Sequence, residues 1–195
     1  MCRARKQAQE KNYSESGFSA TEIKGKIFGI IGLGRIGTRV AEIAQGFGAN
    51  VKYWNRNRRE TLESTGIEYD DINKLLAESD IVSLHLALTK ETEKFLNAEK
   101  INSLKSGSIV VNTAPMELVD LDALEQRLAK GDVIFILDHA DEMKKEDTER
   151  ISKFDNCIIY PPIGYITKEA KVNQQEIFVS NIENFLKGKP TNVVN

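Results

Sequence analysis

The sequence predicts an α/β fold: a doubly wound parallel sheet that carries helices on both faces, in three αβα layers. Two observations predict it. Short, nearly continuous apolar segments alternate with helical ones, as in parallel sheets that are buried on both sides. The first apolar segment also runs directly into a Gly-x-Gly-x-x-Gly sequence that opens a helix. A chain of 195 residues, of which 41% are hydrophobic and 29% charged, has the size and composition of one globular domain.

Each element has its own signal in the sequence. The expected strands are the apolar segments 27–31, 50–54, 80–86, 108–112, 133–137 and 157–160. Helices are expected where a capping residue precedes apolar residues at helical spacing. The first expected helix is 71–78, and the second begins after Asn97 as its cap. The third begins after Asp120 and ends at Gly131, and the terminal helix begins after Thr167 and ends at Gly188. The charged stretch 141–150 is expected to be a solvated loop or helix.

The glycine-rich turn predicts a dinucleotide site of the Rossmann type. Gly32 permits the tight turn, Gly34 lets a pyrophosphate approach the backbone, and Gly37 lets the helix pack closely on the strand. The N–H groups of Arg35 and Ile36 lie at the positive end of that helix and can bind phosphate oxygens. A purely structural turn is the alternative. The context favours binding, because an apolar strand precedes the turn and an amphipathic helix follows it, with Val40, Ile43, Ala44 and Phe47 on one face.

Charge and cysteine content exclude several classes of protein. The formal net charge of −2 gives no field that favours nucleic acid or an anionic membrane. Cys2 and Cys157 are far apart and outside any metal or redox spacing, so both are expected to be free thiols, as in a reducing cytoplasm. No apolar segment reaches the length of a membrane span, and the polar N-terminal residues do not form a secretory signal. A cytoplasmic location without a metal site is therefore expected.

Five segments of the chain resemble the cofactor domain of the D-isomer-specific 2-hydroxyacid dehydrogenases, a family that includes glycerate, phosphoglycerate and hydroxypyruvate reductases. The segments are 25–51, 78–92, 104–114, 118–131 and 181–195. The resemblance implies that residues 17–195 form a Rossmann-type domain for a nicotinamide cofactor, and that residues 1–16 are the end of a linking helix. In the family the cofactor domain is inserted into a substrate domain. The resemblance implies that the first half of that substrate domain is absent here. The chain is accordingly either a fragment or a naturally reduced protein.

The residues after the second strand bear on the choice of cofactor. In dinucleotide folds a carboxylate usually ends this strand and accepts a hydrogen bond from the ribose 2′-hydroxyl of NAD. Here that position is Asn55, and Arg56, Asn57, Arg58 and Arg59 follow it. A missing carboxylate removes repulsion of a 2′-phosphate, and guanidinium groups can bind one. We therefore expect NADP as cofactor, held by Asn55, Arg56 and Arg58; a solvated basic loop that tolerates NAD or NADP is the alternative.

The three catalytic positions that the resemblance implies carry other residues. The family uses an Arg to clamp the substrate carboxylate, a His to move a proton and a Glu to orient that His. The corresponding positions hold Pro115, Pro162 and Met143, the last with Glu142 beside it. Proline can neither carry charge nor donate a proton, and loss of a general acid alone typically costs 10²–10⁴-fold in rate. Lost catalysis is therefore expected, and no residue is assigned as catalytic.

Further cofactor contacts are implied by the same resemblance. They are His85, Leu86, Thr113, Ala114, Asp138 and Gly164. His85 is expected to have a structural or cofactor-shell role rather than an acid–base one. Asp138 is expected beside the nicotinamide carboxamide, with a turn cap as the alternative. His139 is either an exposed surface residue or a displaced proton carrier.

Two functional hypotheses remain open, and a third is weaker. The chain is a cofactor-binding pseudoenzyme with a sensing or scaffold role, or it is an oxidoreductase that another domain or chain completes. A folded remnant without function is the third. The resemblance also implies a homodimer formed through the cofactor domain. Exposed apolar residues on the terminal helix would favour such association, and the expected ones are Phe178, Phe185 and Leu186.

Overall fold

A single sheet of seven parallel strands organises the fold. The computed structural model describes residues 2–17 and 20–193. The strands are β1 (Ile27–Ile31), β2 (Asn50–Trp54), β3 (Glu68–Tyr69), β4 (Ile81–Leu84), β5 (Ile109–Asn112), β6 (Ile134–Leu137) and β7 (Cys157–Ile159). Their order across the sheet is β3-β2-β1-β4-β5-β6-β7, and every pair is parallel. The predicted doubly wound fold is therefore confirmed, with its change of direction between β1 and β4.

Helices connect the strands and cover both faces. They are α1 (Cys2–Gln9), α2 (Arg35–Gly46), α3 (Glu60–Glu63), α4 (Ile72–Glu78), α5 (Ala98–Ser103), α6 (Leu121–Lys130), α7 (Lys145–Ser152) and α8 (Lys168–Leu186). The three predicted N-terminal caps, Asn97, Asp120 and Thr167, accept hydrogen bonds from the first turns of their helices. Asp71, predicted as the first residue of a helix, caps α4 in the same way. Gly131 ends α6 in the left-handed conformation, at φ 71°. The charged stretch 141–150 divides into the end of a 3-10 turn, 140–142, and most of α7.

Two hydrophobic clusters lie on opposite faces of the sheet. Successive residues of a strand point to opposite sides, so Ile30 belongs to one cluster and Ile31 to the other. The expected apolar face of α2 is only partly correct, because Ile43 and Phe47 are 48% and 62% exposed. The buried side of α2 is instead formed by small residues: Gly37, Ala41 and Ala44. Small side chains let the helix axis approach the sheet, which is what the glycine-rich turn requires.

The terminal helix α8 lies largely outside the core. In the described part of the chain, none of its residues is buried. Phe178, Phe185 and Leu186, which were expected to be exposed, have 66%, 72% and 78% of their surface accessible. Large apolar side chains exposed along one helix are typical of a surface that associates with another molecule. Within the described residues, no helix combines the length and apolarity needed to cross a bilayer.

Candidate functional site

The predicted cofactor residues converge at one edge of the sheet. Each of five neighbouring strands ends immediately before one of them: β1 before Gly32, β2 before Asn55, β4 before His85, β5 before Thr113 and β6 before Asp138. Because all the strands are parallel, their carboxyl ends meet along the same edge. Ligands of doubly wound sheets bind in the crevice at this edge, next to the change of strand order.

The glycine-rich turn has the geometry of a phosphate cradle. Gly32 has a φ of +96°, and a Cβ there would lie 2.6 Å from the carbonyl oxygen of His85. A Cβ on Gly37 would collide with the carbonyl oxygen of Gly32. Gly34 is exposed and has no atom of the described residues within 4 Å of its Cβ position. The open space therefore lies above Gly34, at the start of the 12-residue helix α2, whose first N–H groups receive no side-chain cap.

Asn55 connects this turn to the loop that follows β2. Its Oδ1 accepts a hydrogen bond from the N–H of Leu33 at 3.2 Å, and its Nδ2 donates to the carbonyl oxygen of Asn57 at 2.8 Å. Both ends of the amide are therefore engaged within the protein. The side chain positions the loop beside the glycine-rich turn; the predicted contact of Asn55 with a 2′-phosphate stays a prediction.

The two arginines predicted to bind a 2′-phosphate have different surroundings. Arg58 donates from Nε and from a terminal nitrogen to the two carboxylate oxygens of Glu63, at 2.8 and 2.7 Å. Its guanidinium also lies over the ring of Tyr69, 5.3 Å from the centroid. Arg56 is exposed and forms no ion pair with any described residue. Among the described residues of this loop, the guanidinium groups of Arg56 and Arg59 are thus outside any ion pair, whereas that of Arg58 is paired.

Glu63 contacts this loop in a way that the sequence analysis did not predict. Besides pairing with Arg58, its Oε1 accepts a hydrogen bond from the hydroxyl of Tyr53 at 2.8 Å. That hydroxyl in turn accepts a hydrogen bond from the N–H of Arg59, also at 2.8 Å. The hydrogen bonds from Arg58 and then Tyr53 stabilise the carboxylate and lower the pKa of Glu63 from 4.5 to about 2. Glu63 is therefore anionic at neutral pH. It holds the loop through two contacts, one with Arg58 and one with the hydroxyl of Tyr53.

His85 and Leu86 lie directly beneath the glycine-rich turn. The Nε2 of His85 is 2.9 Å from the hydroxyl of Ser83, and its backbone N–H donates to the carbonyl of Ile31. Burial lowers the pKa of His85 below 6.5, which favours the neutral ring at neutral pH. A neutral, hydrogen-bonded imidazole fits the expected structural role. Leu86 packs against the turn, with its Cδ2 3.0 Å from the Cβ position of Gly32.

The ends of β5 and β6 supply the other half of the crevice. Asn112 is fully buried, and its Oδ1 accepts a hydrogen bond from the N–H of Ala114 at 3.0 Å. This turn leaves Thr113 exposed and Ala114 buried. The Oδ1 of Asp138 is buried without a hydrogen-bond partner among residues 2–17 and 20–193. An unsatisfied buried acceptor is costly, and a carboxamide N–H is a donor that would satisfy it. Together with the open space above Gly34, this acceptor fits a nicotinamide dinucleotide.

The three positions implied to be catalytic bring no titratable group to this edge. Pro115 and Pro162 are partly buried, and Met143 packs against the larger hydrophobic cluster. Met143 also borders a cleft of about 490 Å³ between the 116–118 turn and α7, which lies away from the glycine-rich turn. Gly164 is exposed, beyond the end of β7. The nearest imidazole to these positions in sequence, that of His139, has its Nδ1 3.5 Å from a carboxylate oxygen of Glu142.

Comparison with known proteins gives the same assignment. The model of the family described as D-isomer specific 2-hydroxyacid dehydrogenase, NAD binding domain, matches residues 1–164. The glyoxylate reductase of Thermococcus litoralis is 38% identical over 175 residues, which cover 89% of this chain and 53% of that protein. The chain thus spans about half the length of the curated relatives it matches.

Solved structures of similar fold carry nicotinamide cofactors. The D-lactate dehydrogenase of Aquifex aeolicus, complexed with NAD and lactic acid, has a TM-score of 0.84 and 32% identity, and covers 96% of this chain and 61% of its own. The acyclic imino acid reductase Bsp5, complexed with NADPH and D-Arg, has a TM-score of 0.87 and 29% identity. The match covers 100% of this chain and 62% of the reductase. From its fold, its glycine-rich turn and the matched family, this chain belongs to the D-isomer specific 2-hydroxyacid dehydrogenases and corresponds to their NAD-binding domain.

Proposed function

We propose that this chain binds a nicotinamide dinucleotide with a preference for NADP(H), and that it does not catalyse dehydrogenation. One observation carries the preference: Asn55 occupies the end of β2, where a carboxylate would select NAD, and its amide is used to position a loop that exposes Arg56. No carboxylate at this position repels a 2′-phosphate, and an uncommitted guanidinium is available to bind it. Tolerance of both cofactors is the competing outcome.

Calorimetry should show tighter binding of NADP⁺ than of NAD⁺, and Arg56→Ala should remove most of the difference. A charged hydrogen bond contributes roughly 1.5–3 kcal/mol. Arg56 is exposed, so solvent screening places the expected loss near the lower end, about tenfold in NADP⁺ affinity. NAD⁺ affinity should not change. Lys145→Ala is the matched control, because it removes another exposed cation, on α7. Equal affinities of the original chain for the two cofactors would refute the preference.

The proposed loss of catalysis rests on the residues at the three positions that the family resemblance implies to be catalytic. Pro115 offers no cation for a substrate carboxylate, Pro162 no proton, and Met143 no carboxylate to charge an imidazole. The second candidate is an oxidoreductase completed by another domain or chain. One observation favours it: the imidazole of His139 lies close to a carboxylate, with its Nδ1 3.5 Å from an oxygen of Glu142 and without a hydrogen-bond partner among the described residues.

We also propose that the chain forms a homodimer through the apolar surface of α8. Light scattering at micromolar concentration should show a species of twice 21.9 kDa. Phe185→Ser should shift the distribution towards the monomer, because Phe185 is 72% exposed and would lose its apolar contact area. Phe47→Ser, at the residue that follows α2 and is 62% exposed, serves as the control and should leave the dimer intact. A monomer at all concentrations would contradict the proposal.

A further inference from the structure

The loop after β2 contains a second guanidinium that is held in place by an acid of the same chain. Resting on the cofactor preference proposed above, we propose that Glu63 is a specificity-determining residue. It keeps Arg58 away from the 2′-phosphate of a bound dinucleotide, so that Arg56, rather than Arg58, sets the preference for NADP(H). Glu63 therefore limits how strongly the site discriminates between the two cofactors.

The hydrogen-bond geometry supports this restraint on Arg58. A guanidinium binds a carboxylate or a phosphate with the same pair of parallel N–H donors. In Arg58 the Nε and one terminal nitrogen already donate to the two oxygens of Glu63, at 2.8 and 2.7 Å. The stacking of Arg58 on Tyr69 holds the guanidinium plane in the same place. A 2′-phosphate must therefore displace a formed carboxylate pair before it can bind this side chain.

The charge of Glu63 acts in the same direction. Its side chain is 22% exposed, whereas that of Arg58 is 54% exposed. The carboxylate thus lies on the inner side of the pair, and its charge neutralises that of Arg58 towards the loop. An anionic ligand meets a neutral pair here, whereas the guanidinium of Arg56 forms no ion pair with any described residue. A neutral pair attracts a phosphate far less than a free guanidinium does.

The contacts of Glu63 also explain why a substitution must be conservative. Its Oε1 accepts the hydrogen bond of the Tyr53 hydroxyl, and Tyr53 is fully buried in the sheet. Removal of that acceptor would leave a buried hydroxyl with one partner fewer and loosen the loop at Arg59. Glu63→Gln keeps an oxygen for Tyr53, removes the charge and offers no second acceptor to Arg58. It therefore releases Arg58 while retaining the anchor of the loop.

A double-mutant cycle measured by calorimetry tests the inference. Glu63→Gln should strengthen NADP⁺ binding about tenfold and leave NAD⁺ binding unchanged, because a released guanidinium gains a charged hydrogen bond to the phosphate. Arg58→Ala should abolish that gain in the Glu63→Gln background, and should cost less than about threefold in the original chain. Thermal melting of each variant establishes that it is folded. Unchanged NADP⁺ affinity in Glu63→Gln, or equal costs of Arg58→Ala in both backgrounds, would overturn the inference.

A measurement on the unaltered chain gives an independent readout. In an NMR titration with NADP⁺, the Nε–H signal of Arg56 should shift and that of Arg58 should not. A shift of the Arg58 signal as large as that of the Arg56 signal would show that Glu63 does not hold Arg58.

The experiments distinguish failure of the cofactor preference from failure of the restraint on Arg58. If the unaltered chain prefers neither cofactor but Glu63→Gln gains NADP⁺ affinity through Arg58, the preference is wrong and the restraint is right. If the unaltered chain prefers NADP⁺ and Glu63→Gln does not change NADP⁺ affinity, the preference is right and the restraint is wrong.

Discussion

The purified chain is expected to show no NADH- or NADPH-dependent reduction of glyoxylate, hydroxypyruvate or pyruvate in steady-state assays. A bound hydride donor is not sufficient, because the ketone would find no cationic clamp at Pro115 and no proton donor at Pro162. Loss of a general acid alone costs 10²–10⁴-fold, and loss of the clamp removes orientation in addition. Pro115→Arg together with Pro162→His should not restore turnover in this chain, which spans about half the length of the curated relatives it matches.

A chimera separates the effect of the three residues from the effect of chain length. The remaining half of the Thermococcus litoralis glyoxylate reductase, to which this chain is 38% identical, would be joined to residues 17–195. The chimera should bind cofactor but stay inactive. Introducing Pro115→Arg, Met143→Glu and Pro162→His into it should produce turnover, because clamp, acid and orienting carboxylate would then be present. An active chimera without these three changes would refute the loss of catalysis.

The competing explanation assigns the proton to an unusual histidine. His139 lies at the correct edge of the sheet, after β6, and contacts Glu142. His85 is less suitable, because burial lowers its pKa and Ser83 occupies its Nε2. Turnover above background that disappears in His139→Ala would therefore establish an active enzyme. Turnover that persists in His139→Ala would point to a proton donor other than His139.

The sheet and its ligand edge could be predicted from the sequence because their signals are local. The glycines, the apolar segments and the three predicted caps lie within a few residues of the structure that each one determines. For Gly32 and Gly37, the predicted tight turn and close packing correspond to a φ of +96° and to a blocked Cβ position. The order of the strands was not predicted, and neither was the short edge strand β3, whose two residues give no apolar signal.

The state of the arginines could not be predicted, because it depends on contacts between side chains. Glu63 lies in α3, a helix of four residues with no apolar periodicity, so the sequence does not indicate that this helix forms or where it points. The carboxylate of Glu63, which pairs with Arg58, also accepts a hydrogen bond from the hydroxyl of Tyr53 in β2, and this contact depends on how α3 packs against the sheet. Similarly, the sequence does not indicate whether Asn55 binds a phosphate or accepts a hydrogen bond from the N–H of Leu33 and so positions the loop. Such roles are decided by tertiary geometry.

Three glycine substitutions should separate the folding role of the turn from its binding role. Gly37→Ala is expected to lower both stability and cofactor affinity, because the new methyl group meets the carbonyl oxygen of Gly32 and α2 must move away from the sheet. Overpacking of this kind costs roughly 1–3 kcal/mol, and each kcal/mol lowers the Tm of a domain of this size by about 2–4 °C. Thermal melting and calorimetry with NADP⁺ measure the two effects.

Gly34→Ala should behave differently, although it lies only three residues earlier. Nothing in the described residues lies within 4 Å of its Cβ position, so the fold tolerates the methyl group and the Tm stays near that of the original chain. The same methyl group occupies the space that a pyrophosphate needs, so NADP⁺ and NAD⁺ affinities should both fall. Gly46→Ala, in the last turn of α2 with similarly open surroundings, is the control for added bulk. It should leave binding unchanged and, through helix propensity, raise stability by up to about 1 kcal/mol. Equal cofactor affinities of Gly34→Ala and Gly46→Ala would show that the pyrophosphate does not bind above the glycine-rich turn.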